Sequence, residues 1–195
     1  MKHIKKRLSW LLVVCMLLGV LPLNVSATGD TSDTSTTAEN GNSVTVIAGS
    51  DFQNQSGNEA GAQTVVNILN TMKNNGYDSA DGFLCCGDYD YDTVNNSTQT
   101  IEGITALKNA VKSVYTSLID SRMVMVQGNH DAAGVAGLSQ SGANDTDDYG
   151  VYVINEDDYM WGNSDEATIQ NTANALNTYL EAKVSEKYSK PVFVV

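Results

Sequence analysis

The chain is poor in cysteine, in histidine and in positive charge, and each shortage closes off a class of protein. Three cysteines occur in 195 residues, at 15, 85 and 86. Cys15 sits in the apolar N-terminal stretch. Cys85 and Cys86 are sequence neighbours, so on a strand their side chains point to opposite faces. They read as small buried hydrophobes, and no disulfide framework is expected. Histidine occurs only at 3 and 130, so imidazole chemistry in the folded part falls to His130. Lys and Arg number 11 against 23 acids, a formal net charge of −12. A surface of that sign repels a nucleic-acid backbone and disfavours a general DNA or RNA binder. No G-x-S-x-G elbow, P-loop or C-x-x-C pair occurs. Serine hydrolase, nucleotide-triphosphatase and thiol-redox readings therefore lack support.

Long apolar runs are scarce too, and the one present lies at the start. Lys2, Lys5, Lys6 and Arg7 precede an apolar core from Leu8 to Leu21, and Val25-Ser26-Ala27 supplies small residues. This is the pattern of a secretory signal peptide of bacterial type cut after Ala27. Its core is short for a membrane helix. The small-residue site favours cleavage over retention as an anchor, and no stable span is expected afterwards. Val14 before Cys15, with apolar residues beyond it, argues against a lipoprotein. The protein is expected to be secreted or cell-surface. Removing residues 1–27, which hold four cations and no acid, takes the net charge from −12 to −16.

Residues 28–43, TGDTSDTSTTAENGNS, bury too little apolar surface to offset the entropy of ordering, and are expected to form a disordered linker. A single domain is expected over 44–195. Its first strand is Val44–Ala48, running into Gly49-Ser50-Asp51-Phe52-Gln53. A helix from about Glu59 to Asn75 follows, with Val65, Leu69 and Met72 on one face and Gly76 as its stop. The second strand is Gly82–Cys86, closing on Gly87-Asp88-Tyr89-Asp90-Tyr91. Ile101, Ile104, Leu107, Val111, Val114 and Leu118 mark a second amphipathic helix. The third strand, Met123–Val126, ends in Gln127-Gly128-Asn129-His130-Asp131. A long loop is expected over 132–148, then a strand at Gly150–Ile154, with an outward turn as one reading of it. A last helix is marked by Ile169, Ala173, Leu176, Leu180 and Val184, and the chain closes on the apolar run Pro191–Val195. Strands alternating with helices imply an α/β fold with mainly parallel strands. A chain ending inside a buried-type strand is expected to be the N-terminal portion of a longer protein.

Three strands thus end alike, in glycine followed by oxygen- or nitrogen-bearing side chains. The first offers Asp51 and Gln53, the second Asp88, the third Asn129 and His130. Residues 51 and 53 are two apart, so on an extended strand end both point to one face. Open α/β folds place their chemistry at this carboxyl edge, and these groups suit Mn, Fe, Zn or Mg. Taken singly each is a common turn residue; their joint placement is the signal. Tyr89-Asp90-Tyr91-Asp92 reads as a solvated loop, with a cleft wall as the alternative.

The series Asp51-Phe52-Gln53, Gly87-Asp88 and Gly128-Asn129-His130-Asp131 resembles the first three motifs of the calcineurin-like metallophosphoesterases, D-x-H, G-D and G-N-H-[DE]. The resemblance covers residues 44–131. It implies a four-layer αββα sandwich and a secreted, metal-dependent phosphoesterase. Two divalent metal ions would activate a hydroxide against a phosphomonoester or phosphodiester, in a small-molecule or polymer substrate. By the same resemblance Asp51 and Gln53 would bind the first ion, Asp88 would bridge both, and Asn129 would bind the second. His130 would contact the phosphate and protonate the leaving oxygen, and Asp131 would orient its ring.

Two departures matter. Gln53 stands where the family usually has histidine, and a neutral amide oxygen is a weaker ligand. The family's later ligands are histidines, and this chain has none after His130. The alternative is therefore a non-catalytic exported fragment or binding module that keeps half the scaffold. A third reading takes Asp145 to Glu156 as an imperfect EF-hand-like calcium loop, spoiled by Tyr149 at the fifth position.

Overall fold

The structure, a computed structural model, describes residues 23–25, 43–53, 59–89, 95–155 and 165–195. Residues 1–22 of the expected signal peptide, the linker up to 42, Asp90 to Asp92 and Glu156 lie outside the described residues.

Four strands form the first sheet: β1 (Leu23–Val25), β2 (Val44–Gly49), β3 (Gly82–Cys85) and β4 (Met123–Met125), in the order β1-β2-β3-β4. β2, β3 and β4 run parallel, and β1 lies antiparallel along the outer edge of β2. The fold is thus mixed α/β, built on a three-stranded parallel sheet with helices. Helices α1 (Glu59–Asn74) and α2 (Ser97–Val114) are the crossovers between the parallel strands.

Both faces of the parallel sheet are covered, which is why its strands read as continuous apolar runs. Side chains alternate along each strand. Ile47, Phe83, Cys85, Met123 and Met125 point to the helices, where they meet Leu69 and Met72 of α1 and Ile104, Leu107 and Val111 of α2. Val44, Val46, Leu84, Val124 and Val126 point the other way, onto Tyr149, Val151 and Val153. Those last residues belong to or adjoin β6 (Gly150–Val153), the middle strand of a second sheet. Its neighbours are β5 (Gly142–Ala143), antiparallel, and β7 (Val192–Val194), parallel. All four β6 residues are buried, so the strand lies in the core and does not turn outward. A Cβ at Gly82 would lie 2.0 Å from the Tyr149 hydroxyl oxygen, so glycine there makes room for that ring between the sheets.

Three expectations change in detail. Ile101 faces solvent, and Leu118 is buried but lies beyond the end of α2 at Val114. Cys85 is buried and Cys86 exposed; both are free, because β3 ends at Cys85 and its neighbour leaves the sheet. The third is the helix α3 (Glu166–Ser185), which forms where expected but has no buried residue. Ile169, Leu180 and Val184 of its apolar series face solvent. Its half-buried stripe is instead Thr168, Thr172, Leu176, Tyr179 and Lys183. Tyr179 packs on Tyr152 of β6 at 5.1 Å between ring centroids, and Lys183 pairs with Asp145.

The long connection after β4 is largely loop, and it covers that strand's free edge. The Met125 N–H donates to Ser139 Oγ (3.0 Å), and the Ser139 N–H donates to the Met125 carbonyl (2.8 Å).

Candidate metal centre

The carboxyl ends of β2, β3 and β4 are laced together by main-chain bonds. The Asp51 N–H donates to the Gly87 carbonyl (3.0 Å), and the Gln53 N–H to the Asp88 carbonyl (2.8 Å). The Val126 N–H donates to the Cys85 carbonyl (2.8 Å), and the His130 N–H to Asp88 Oδ1 (3.1 Å). Each candidate residue from 51 to 88 is thereby positioned against the next strand's loop.

The backbone at these positions is unusual. Asp51, Gln53 and Asp88 all have positive φ, at 54°, 42° and 60°. Side-chain-bearing residues rarely occupy this left-handed region, and strain of this kind clusters at functional sites. Since β2 ends at Gly49, residues 51 and 53 are not extended, and the same-face argument from strand alternation does not apply to them. Left-handed turns place them instead.

Two glycines make the approach of the loops possible. A Cβ at Gly87 would lie 2.3 Å from the Gly128 nitrogen, and one at Gly128 would lie 2.2 Å from Asp88 Oδ1. Gly87 also has φ of 96°, so it is needed for conformation as well as space.

Asp131 is fully buried, and its carboxylate takes three main-chain donors. Oδ2 accepts the N–H groups of Asp88 (2.8 Å) and Gly128 (2.8 Å), and Oδ1 accepts that of Tyr89 (2.8 Å). The residue expected to orient His130 therefore ties the G-D loop to the G-N-H-D loop. His130 is held through its backbone: its carbonyl accepts the Asn95 N–H (2.9 Å). Its Nδ1 is buried and, among the described residues, has no hydrogen-bond partner.

Two contributors were not visible as such in the sequence. Tyr89 is fully buried in the helix-side core, and its hydroxyl donates to the Cys85 carbonyl (3.2 Å), so the solvated-loop reading fails for this residue. Burial holds its phenol well above the usual range. Asn155 is buried nearby: its Oδ1 accepts the Gln127 N–H (2.7 Å), and its Nδ2 donates to the Ser139 carbonyl and Ser141 Oγ. A polar residue just after an apolar strand was the only sequence hint of that tie. Asp145, the start of the EF-hand-like stretch, is bonded by Lys183 Nζ and the Tyr179 hydroxyl, a cationic neighbour that disfavours calcium there.

No family model, curated protein or solved structure matches this chain.

The donor chemistry can be weighed without them. Among the described residues no three His, Cys, Asp or Glu side chains form a metal-holding group. The edge offers two carboxylates, Asp51 and Asp88, with the amides of Gln53 and Asn129, an oxygen set that fits a hard dication such as Mg or Mn. The buried His130 Nδ1, which has no partner among the described residues, adds a nitrogen with bonding capacity to spare. The residues therefore fit one divalent ion, and for a second they supply only Asp88 and Asn129.

Proposed function

We propose that the protein is a secreted, metal-dependent phosphoesterase whose site is the edge formed by Asp51, Gln53, Asp88, Asn129 and His130. The observation that carries this reading is the left-handed backbone at Asp51, Gln53 and Asp88. Three costly conformations coincide with three residues that the D-x-Q and G-D motifs mark as ligands. The wider architecture of the reading is a calcineurin-like four-layer αββα sandwich, supported by the helices and the second sheet on opposite faces of the first.

Asp51, Gln53, Asp88 and Asn129 would hold one divalent cation, with Asp88 and Asn129 the donors available toward a second. A divalent ion held there would supply Lewis acidity toward the phosphoryl oxygens and lower the pKa of water. His130 contacts the phosphate and delivers a proton to the ester oxygen as its bond to phosphorus breaks and water becomes bonded to phosphorus. Asp131 keeps His130 and Asp88 in register through the main chain, a positioning role.

A second reading, a binding module without turnover, is favoured by one observation: no group of three ionisable metal donors forms among the described residues. Hydrolysis of bis(4-nitrophenyl) phosphate and 4-nitrophenyl phosphate by the full chain in Mn²⁺ distinguishes the two. The phosphoesterase reading expects turnover that falls about 10²–10⁴-fold in His130→Ala, the usual worth of a general acid. A folded chain that takes up no Mn²⁺ and turns over neither ester would support the binding module instead.

A further inference from the structure

A cavity of about 300 Å³ opens beside this edge, between β2 and the first turns of α1. Its inner wall is apolar, formed by Ile47, Phe83 and Cys85 of the first sheet with Leu69 and Leu107 of the two helices. Burial pushes the Cys85 thiol up to about 12, so it stays an uncharged part of that wall. The sequence explains the space. Helix α1 begins Glu59-Ala60-Gly61-Ala62, and Gly61 lines the cavity where a large side chain would close the wedge between helix and sheet.

The rim joins the cavity to the candidate centre. Ser50, Asp51, Thr64 and Ile68 line it and are all exposed, and a Cβ at Gly49 would meet nothing within 4 Å. Ile68 is 41 % exposed at this mouth, an apolar side chain left in water beside an apolar hollow. The volume is roughly twice the ~150 Å³ of a hydrocarbon cavity that takes up one benzene, and sits at the lower end of the ligand-pocket range. It has room for a two-ring aromatic or a medium alkyl chain.

We infer that the ester hydrolysed here carries an apolar aryl or alkyl group, which this cavity holds while the phosphate lies at Asp51, Asp88 and His130. The inference rests on the phosphoesterase reading and adds the substrate class. Asp51 is the link, because it belongs both to the candidate ligand set and to the rim.

The test compares methylphosphonate with 2-naphthylmethylphosphonate, whose P–C bonds resist hydrolysis, as ligands of the Mn²⁺-loaded full chain in calorimetry. The naphthyl compound should bind at least tenfold more tightly. Thr64→Trp, which fills the mouth, and Ile68→Gln, which makes it polar, should each remove most of that advantage and leave methylphosphonate affinity unchanged. Both positions are exposed, so neither change disturbs the core. Equal affinities in the parent chain, or an advantage that survives both variants, would overturn the inference while Mn²⁺ and methylphosphonate binding left the phosphoesterase reading standing. Titration with 2-naphthol separates the other failure. Naphthol uptake without any Mn²⁺ or phosphonate binding would remove the phosphoesterase reading, and the substrate assignment with it.

Discussion

Asp51, Gln53 and Asp88 hold a backbone shape that costs an L-residue about 1–2 kcal/mol relative to ordinary conformations. Glycine adopts it freely, at the expense of more entropy lost on folding. Gln53→Gly should therefore leave metal-free stability within about 1 kcal/mol of the parent, measured by urea unfolding, because the two effects oppose. The same change should weaken Mn²⁺ binding at least tenfold by removing an amide donor. Asp131 is the opposite case, a residue whose worth lies in the fold. Replacing its carboxylate by an amide puts an NH₂ group among three N–H donors in a fully buried position. Asp131→Asn should cost about 2–4 kcal/mol in the same unfolding measurement, a range set by charge-assisted bonds and buried polar mismatch. A loss under 0.5 kcal/mol would contradict the anchoring role. The sequence marked all of these residues through the order of the strand-end motifs and their resemblance to the metallophosphoesterase pattern. It did not show their backbone angles, nor that Asp131 reaches residues 88 and 89, because both depend on loops some forty residues apart meeting in space.

The strands and the first two helices were legible because burial leaves a periodic trace. Strands covered on both faces become apolar throughout, and helices packed on one side carry a stripe. Helix α3 shows where that logic stops. Its spacing forecast an apolar face, but periodicity does not say whether a face is covered, and here Ile169, Leu180 and Val184 stay in water. The helix is held instead by Lys183, which pairs with Asp145 and lies over the Tyr188 ring at 4.3 Å. Burial raises the Asp145 carboxyl, but its bonds from Lys183, Tyr179 and the Val151 N–H outweigh that and leave it below its ordinary value. Lys183 is raised, chiefly by its bond to Asp145. A lowered acid contributes stability above its unfolded pKa, near ~4, and loses it as pH falls through the folded value. A raised lysine contributes below its unfolded pKa, near ~10, and loses it as pH rises through the folded value. The anchor should thus be intact from about pH 5 to 9, worth up to ~1 kcal/mol. Hydrogen exchange should show amides 179–185 losing protection on acidification before those of β2 to β4. Asp145→Asn should remove that acid-side change, and a profile identical to the parent's would contradict it.

The described residues form a parallel sheet covered on one side by two helices and on the other by a second sheet, with the candidate site residues at the carboxyl ends of β2, β3 and β4. None of the described helices is long and apolar enough to cross a membrane. β1 comes from the last residues of the expected leader, so cleavage after Ala27 would leave β2 as the outer strand while the parallel core stayed intact. The strongly acidic chain places Asp51 and Asp88 among many other carboxylates, so cation uptake has to be assigned to residues and not to net charge. The decisive measurement is therefore Mn²⁺ titration of the full chain, followed by electron paramagnetic resonance at physiological ionic strength, for the parent, Asp88→Asn and Asp145→Asn. The account predicts at least one bound Mn²⁺ per chain, weakened tenfold or more by Asp88→Asn and unchanged by Asp145→Asn. No uptake by the parent, or equal uptake by parent and Asp88→Asn, would contradict a metal centre at this edge.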